Sequence, residues 1–186
     1  MEDEKIIELY WQRDEEALRQ TNSKYGSFCY YIAHNILKNE EDSKECVNDT
    51  WFKVWTVIPP KRPGFFQAFL GKITRNLSLD RYRKNHASKR GGGSMDAIYE
   101  ELKECIAGDG SEEHRTDTIV ITDALGTFLR GLSRDARVIF VRRYWYADSI
   151  GEIAQHYGMS ESKVKSSLMR SRNRLKAYLE KEGIIV

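Results

Sequence analysis

Two sets of side chains in this chain have the types and the spacing to hold a polyanion. The first is Ser160, Ser162, Lys163, Lys165, Ser166, Ser167, Arg170 and Arg172, all within one helix-length segment. Hydroxyl, ammonium and guanidinium groups are those that bond phosphate oxygens and base edges in a major groove. Ser162, Lys163, Ser166 and Ser167 fall in the early turns, where side chains reach base edges. Arg170, Arg172 and Arg174 come later, where phosphate contact or core packing is expected. The second set is Lys72, Arg75, Asn76, Asp80 and Arg83, a polar stripe at intervals of three to four residues. It follows a basic loop, Lys61-Arg62-Pro63-Gly64, and the pair Phe65-Phe66. Cations alone hold phosphates without reading sequence. Asn76 and Asp80 add groups that bond a base edge, and aromatics among cations suit an unstacked strand. The same residues also allow a plainer arrangement, with both phenylalanines in the core and Asp80 paired to Arg83 or Lys84.

A third set points to a protein rather than a nucleic acid. Asp42, Glu45, Asn48, Asp49 and Phe52 share the outer face of one segment, with Glu41 at its start. Aromatic anchors rimmed by charge fit a protein partner; Phe52 and Trp55 tucked into the core is the alternative. No catalytic set emerges, so no enzyme activity, cofactor or metal is expected. His34, His86, His114 and His156 lack metal-ligand spacing, and Gly91-Gly92-Gly93 lacks the lysine of a phosphate-cradling loop. The three cysteines, Cys29, Cys46 and Cys105, fit neither a disulfide framework nor a zinc motif. With no apolar run long enough for a membrane and an acidic start at Met1-Glu2-Asp3-Glu4, a cytoplasmic protein without membrane insertion is expected.

The elements that must position these groups read as helices throughout. Ser149-Ile150-Gly151-Glu152 forms a capping box, and Ile150, Ile153, Ala154 and Tyr157 mark one apolar face. Gly158 suits a left-handed C-cap, and Ser160 starts a second helix with Val164, Leu168, Leu175 and Leu179 inside. A small residue at Ala154 and a glycine four later let the two helices cross through a tight turn, as a helix-turn-helix requires. Before them lie Ile119–Leu129 and a helix capped by Ser133. In the first half, a long helix from about Asp14 to Lys38 carries Phe28, Ile32 and Ile36. A second carries Val47, Trp51, Val54 and Ile58 until Pro59-Pro60 stops it. A third turns Phe66, Phe69, Leu70, Ile73 and Leu77 inward.

The charge alternates along the chain. Between Lys61 and Arg90 nine basic residues face one acid, and between Asp96 and Asp123 nine acids face two bases. The segment from Glu161 to Glu182 is basic again. The expected architecture is therefore all-α: two small helical domains, residues 1–88 and 118–186, joined by a flexible acidic linker over residues 89–117. A short helix near Met95–Ile106 is expected inside it.

The chain resembles bacterial extracytoplasmic-function (group 4) sigma factors of the sigma-70 family. The run from Ile150 to Ala154 and from Gly158 to Leu175 looks like region 4, as does Leu132-Ser133-Arg134-Asp135-Ala136-Arg137. Asp42 and Val47 to Trp55 resemble region 2.2, and Phe69 to Arg83 resembles regions 2.3 and 2.4. The resemblance implies two docking surfaces on core RNA polymerase. Region 2.2, here Asp42, Glu45, Asn48, Asp49 and Phe52, would meet the clamp helices, and region 4 the flap. The helix holding Lys163 would read the −35 element of promoter DNA as duplex. Region 2 would open the −10 element and hold a flipped base near Arg62 and Phe65, with Lys72, Arg75, Asn76, Asp80 and Arg83 nearby. An anti-sigma factor is the implied regulator. The chain departs from the pattern at Phe69, where tryptophan is common, and at Lys163 and Ser167, where threonine and arginine are frequent. A stand-alone helix-turn-helix regulator, dimeric and independent of polymerase, is the rival expectation.

Overall fold

The computed structural model describes residues 1–86, 94–103 and 115–183, which hold nine α-helices and no strand. The chain divides into two compact units, Met1–Arg90 and Gly91–Val186. Residues 87–93 and 104–114, with much of the stretch read as linker, lie outside the described residues.

The first unit comprises α1 (Asp3–Trp11), α2 (Glu16–Leu37), α3 (Glu40–Val57) and α4 (Phe66–His86). Helix α2 is its axis, packing on the other three. Its last residue is followed by Lys38 in the left-handed region at φ 52°, which turns the chain at once into α3. Asn39 caps α3 by accepting from the Asp42 N–H at 2.9 Å, and three acids in the first turn favour the positive end of the helix dipole. The core holds Ile6, Tyr10, Cys29, Val54, Ile58, Phe66 and Leu70, none with any exposed surface beyond 1%. Each such large side chain contributes roughly 1.5–3 kcal/mol.

Helix α1 is an addition to the expected plan; its short length and mixed charges hide the Ile6, Ile7 and Tyr10 ridge that it buries. Helix α4 also packs in a different phase from that expected. Phe66 and Leu70 are buried, but Phe69, Ile73 and Leu77 are only half-buried. The deep ridge continues every fourth residue through Thr74, Ser78 and Tyr82. Thr74 and Ser78 donate to the carbonyls of Leu70 and Thr74 (3.0 and 2.8 Å), and they meet Thr50 and Cys46 of α3 at 3.2 Å. Small hydroxyl side chains that satisfy themselves on their own helix permit a close approach without a stranded polar group. Gly71 completes the seam: a Cβ there would sit 3.2 Å from the Phe28 ring of α2.

The second unit comprises α5 (Ser94–Lys103), α6 (Arg115–Arg130), α7 (Arg134–Tyr144), α8 (Ile150–Tyr157) and α9 (Glu161–Lys181). Helices α7, α8 and α9 pack on one another, and α6 packs on α9. Val164, Leu168, Leu175 and Leu179 of α9 are buried, as expected, together with Ile153 and Ala154 of α8. Tyr157 departs from expectation: it is exposed, edge-on to His156 at 4.8 Å. Helix α5 is the short helix expected inside the linker. Its Met95 and Ile98 are buried, and its Glu101 binds Arg143 at 2.6 Å and the Tyr144 hydroxyl at 3.0 Å.

Candidate nucleic-acid and protein interfaces

The helix-turn-helix is built from local capping chemistry. Ser149 accepts from the Glu152 N–H at 3.1 Å while the Glu152 carboxylate accepts from the Ser149 N–H at 2.7 Å, closing the capping box. Gly158 ends α8 at φ 61°, a conformation that strains any side chain, and Ser160 caps α9 through the Lys163 N–H. On α9, Ser160, Ser162, Lys163, Lys165, Ser166 and Arg170 are exposed and Ser167 is half-buried. Lys163, Ser167, Arg170 and Arg174 line one cleft of about 300 Å³ against Ser133 and Asp135 at the start of α7. Arg172 stands apart from this set. It is half-buried, donates to the Tyr144 hydroxyl at 2.9 Å and lies 3.6 Å from Glu101. Nine residues separate it from Lys163, half a turn out of phase on a helix.

In the first unit the structure separates the two neighbouring phenylalanines. Phe66 is 1% exposed and packs edge-on to Tyr10 and Tyr25, whereas Phe65 is 84% exposed. A cavity of about 530 Å³ opens beside Arg62 and Pro63 in the loop before them. Its rim carries Lys53, Lys61, Arg62, Lys72 and Asn76, and its wall Val57, Pro63, Phe69 and Ile73. Cationic donors around an apolar floor suit a base with its phosphates better than a duplex. Lys53 was not among the expected residues; a single cation one turn beyond Asp49, in the later half of an acidic helix, is the mark it leaves in the sequence. Arg75 is half-buried, and burial pushes its guanidinium below the usual range. Asp80 is exposed and pairs with Arg83 at 3.0 Å.

The outer face of α3 also resolves two neighbouring aromatics. Phe52 is 73% exposed, while Trp55 packs edge-on to Tyr10 at 5.9 Å. The acids on that face have a partner unforeseen in the sequence. Arg81 of α4 reaches Glu45 at 2.6 Å, Asp49 at 3.1 Å and Asp42 at 3.4 Å. Its bond to Glu45 raises the guanidinium further above its ordinary value, and in turn lowers the Glu45 carboxyl. Asn48 is exposed on the same helix. The second unit carries an apolar groove of about 490 Å³ whose wall includes Leu102, Leu125, Leu129, Phe140 and Trp145.

Among the described residues no group of three histidine, cysteine or acidic side chains could hold a metal ion, and no helix is long and apolar enough to cross a membrane. Cys29 and Cys46 are buried free thiols, both pushed up by burial, Cys29 to about 11.

A capped helix-turn-helix in one unit and a cation-rimmed, aromatic-edged cavity in the other define an all-α protein of the helix-turn-helix class. Residues 23–88 match sigma-70 region 2, and residues 122–175 match sigma-70 region 4. With both regions present in that order, the chain belongs to the sigma-70 family. It is similar to the ECF RNA polymerase sigma factor SigE of Mycolicibacterium smegmatis, with 28% identity over 154 residues. That match covers 83% of this chain and spans 58% of the relative's length.

Proposed function

We propose that this chain is an extracytoplasmic-function sigma factor, which binds core RNA polymerase in the cytoplasm and directs it to promoters. Helix α9 reads the −35 element as duplex through Ser160, Ser162, Lys163, Lys165, Ser166, Ser167 and Arg170. Helix α4 and the loop before it take the −10 element as a single strand, with Phe65 and the cavity beside Arg62 receiving an unstacked base. Asp42, Glu45, Asn48, Asp49 and Phe52 dock on the polymerase clamp, and the apolar groove of the second unit takes the flap. An anti-sigma factor is the proposed regulator. The observation that carries this reading is the pairing, in one chain, of a capped helix-turn-helix with a cavity lined by Lys53, Lys61, Arg62, Lys72 and Asn76 over an apolar wall, a lining that suits an unpaired base. A regulator acting on duplex DNA alone has no use for the second.

Run-off transcription with added bacterial core enzyme tests it. Specific transcripts should appear from a subset of genomic promoter fragments only when both are present. In gel shifts, specific promoter binding should require core polymerase. Tight duplex binding by a dimer of this chain without polymerase would instead establish the stand-alone regulator.

A further inference from the structure

The match to region 2 begins at residue 23, so helix α1 lies outside it. Yet α1 and the turn that follows it contact the end of α3, the start of α4 and the loop between them. Near the α3 end, Arg13 lies over the Trp55 ring at 5.4 Å and donates to the Trp55 carbonyl at 2.6 Å. At the α4 end, Tyr10 meets the Phe66 ring edge-on at 6.1 Å. In the middle, the Arg62 guanidinium lies over the Trp11 ring at 5.4 Å and bonds to the Glu8 carboxylate. Glu8 and Trp11 are three residues apart, so carboxylate and indole face the same side of α1. They hold the guanidinium by one edge and one face.

We propose that α1 is a positioning element for strand opening. Glu8 and Trp11 hold Arg62 at the rim of the cavity, ready for the phosphate or base of an unpaired strand. This rests on the proposed reading of that cavity as the −10 strand site. An arginine already stacked and bonded loses less rotamer freedom on binding than a free one. Stability does not explain the arrangement, because Arg62 and Glu8 are 56% and 50% exposed, and exposed ion pairs contribute little to folding. Charge alone predicts the opposite effect. Glu8 places a negative group beside a cationic rim, so its neutralisation should tighten binding of a polyanion. A positioning role requires that the same change weaken it. The sign of the effect decides between them.

The test uses the full chain with core polymerase on duplex promoter fragments recovered by the wild-type holoenzyme. Glu8→Gln and Trp11→Leu should each lower transcript output by about two- to fivefold, with melting temperatures close to wild type. Trp11→Phe, which keeps a ring under the guanidinium, should restore most of the output. In an Arg62→Gln background, neither Glu8→Gln nor Trp11→Leu should have a further effect, because both act through Arg62. Unchanged or raised output from Glu8→Gln, with output reduced by Arg62→Gln, overturns the positioning role and leaves the strand site standing. Losses that persist in the Arg62→Gln background overturn it as well. No loss from Arg62→Gln itself overturns the assignment of the strand site to this rim, and the positioning role with it.

Discussion

Lys163 sits in the first turn of α9, its N–H capped by Ser160 at 3.3 Å and its side chain exposed. That is where a helix lying in the major groove reaches base edges. Lys163→Gln should therefore change the preferred base at one −35 position, by about 1–3 kcal/mol. Competition binding of holoenzyme to fragments randomised in the −35 element measures it, and an unchanged preference would count against this register. Arg174 is exposed three turns later and holds the Gly131 carbonyl only at 3.5 Å. Arg174→Gln should weaken all sequences alike and reduce the salt slope by about one. On α3, Asp49 and Phe52 are both exposed, and Arg81 keeps Glu45 and Asp42 when Asp49 is removed. Asp49→Ala with Phe52→Ala should abolish co-purification with core polymerase while the melting temperature barely moves. A large loss of stability with polymerase binding retained would make Phe52 a packing residue.

At the scale of elements, the first unit depends on the joint between α1 and α2. The Tyr10 hydroxyl, wholly buried, meets the Thr21 hydroxyl at 2.9 Å. Burial pushes the Tyr10 phenol from 10.0 up to about 12, an effect that the Thr21 bond only partly offsets. A raised value in the folded state means that the fold favours the protonated form. Its contribution is complete below pH 10 and is lost as pH rises through 12. The Cys29 thiol, raised from 9.0 to about 11 by burial, acts in the same direction from pH 9 upward. At roughly 1.4 kcal/mol per unit, Tyr10 alone accounts for some 2–3 kcal/mol. Denaturant midpoints of the first unit should fall steeply between pH 10 and 12. In Tyr10→Phe that fall should be shallower, leaving only the thiol and ordinary surface groups to titrate. An equally steep fall in the variant would show that another group governs alkaline unfolding.

At the scale of the molecule, opening a promoter is separate from finding it. Asn76 and Asp80 lie one turn apart on the exposed side of α4, outside the helix-turn-helix, with Asp80 bordering the cleft that holds Asp42, Glu45 and Asp49. Extruding a base costs a few kcal/mol, which strand contacts must offset. Asn76→Ala with Asp80→Ala should leave binding to core polymerase and closed promoter intact but nearly abolish transcript from duplex templates. A template already mismatched across the −10 element should recover much of that output. Equal loss on both templates would remove these two residues from strand opening.

Apart from α1, the helices, the caps at Ser133, Ser149, Gly158 and Ser160 and the helix-turn-helix were legible in the sequence because they are local. A capping box needs two side chains three residues apart, a left-handed cap needs Gly158, and apolar residues at helical spacing mark a face wherever the helix lies. Local spacing defines a face but not its rotation against a neighbour. Adjacent residues differ by about 100° around a helix, so where both are aromatic only packing chooses. That choice sent Phe66 inward and Phe65 outward, left Phe52 exposed while Trp55 three residues on packs on Tyr10, and put Thr74 and Ser78 on the ridge where Ile73 and Leu77 were expected. Long-range charge pairing is likewise absent from a linear pattern. Arg81 finds acids 32 to 39 residues away, Arg62 finds Glu8 at a separation of 54, and Arg172 leaves the basic face for Tyr144. Composition showed that these cations were available to a polyanion. Only the packed helices decided which of them a protein carboxylate had already taken.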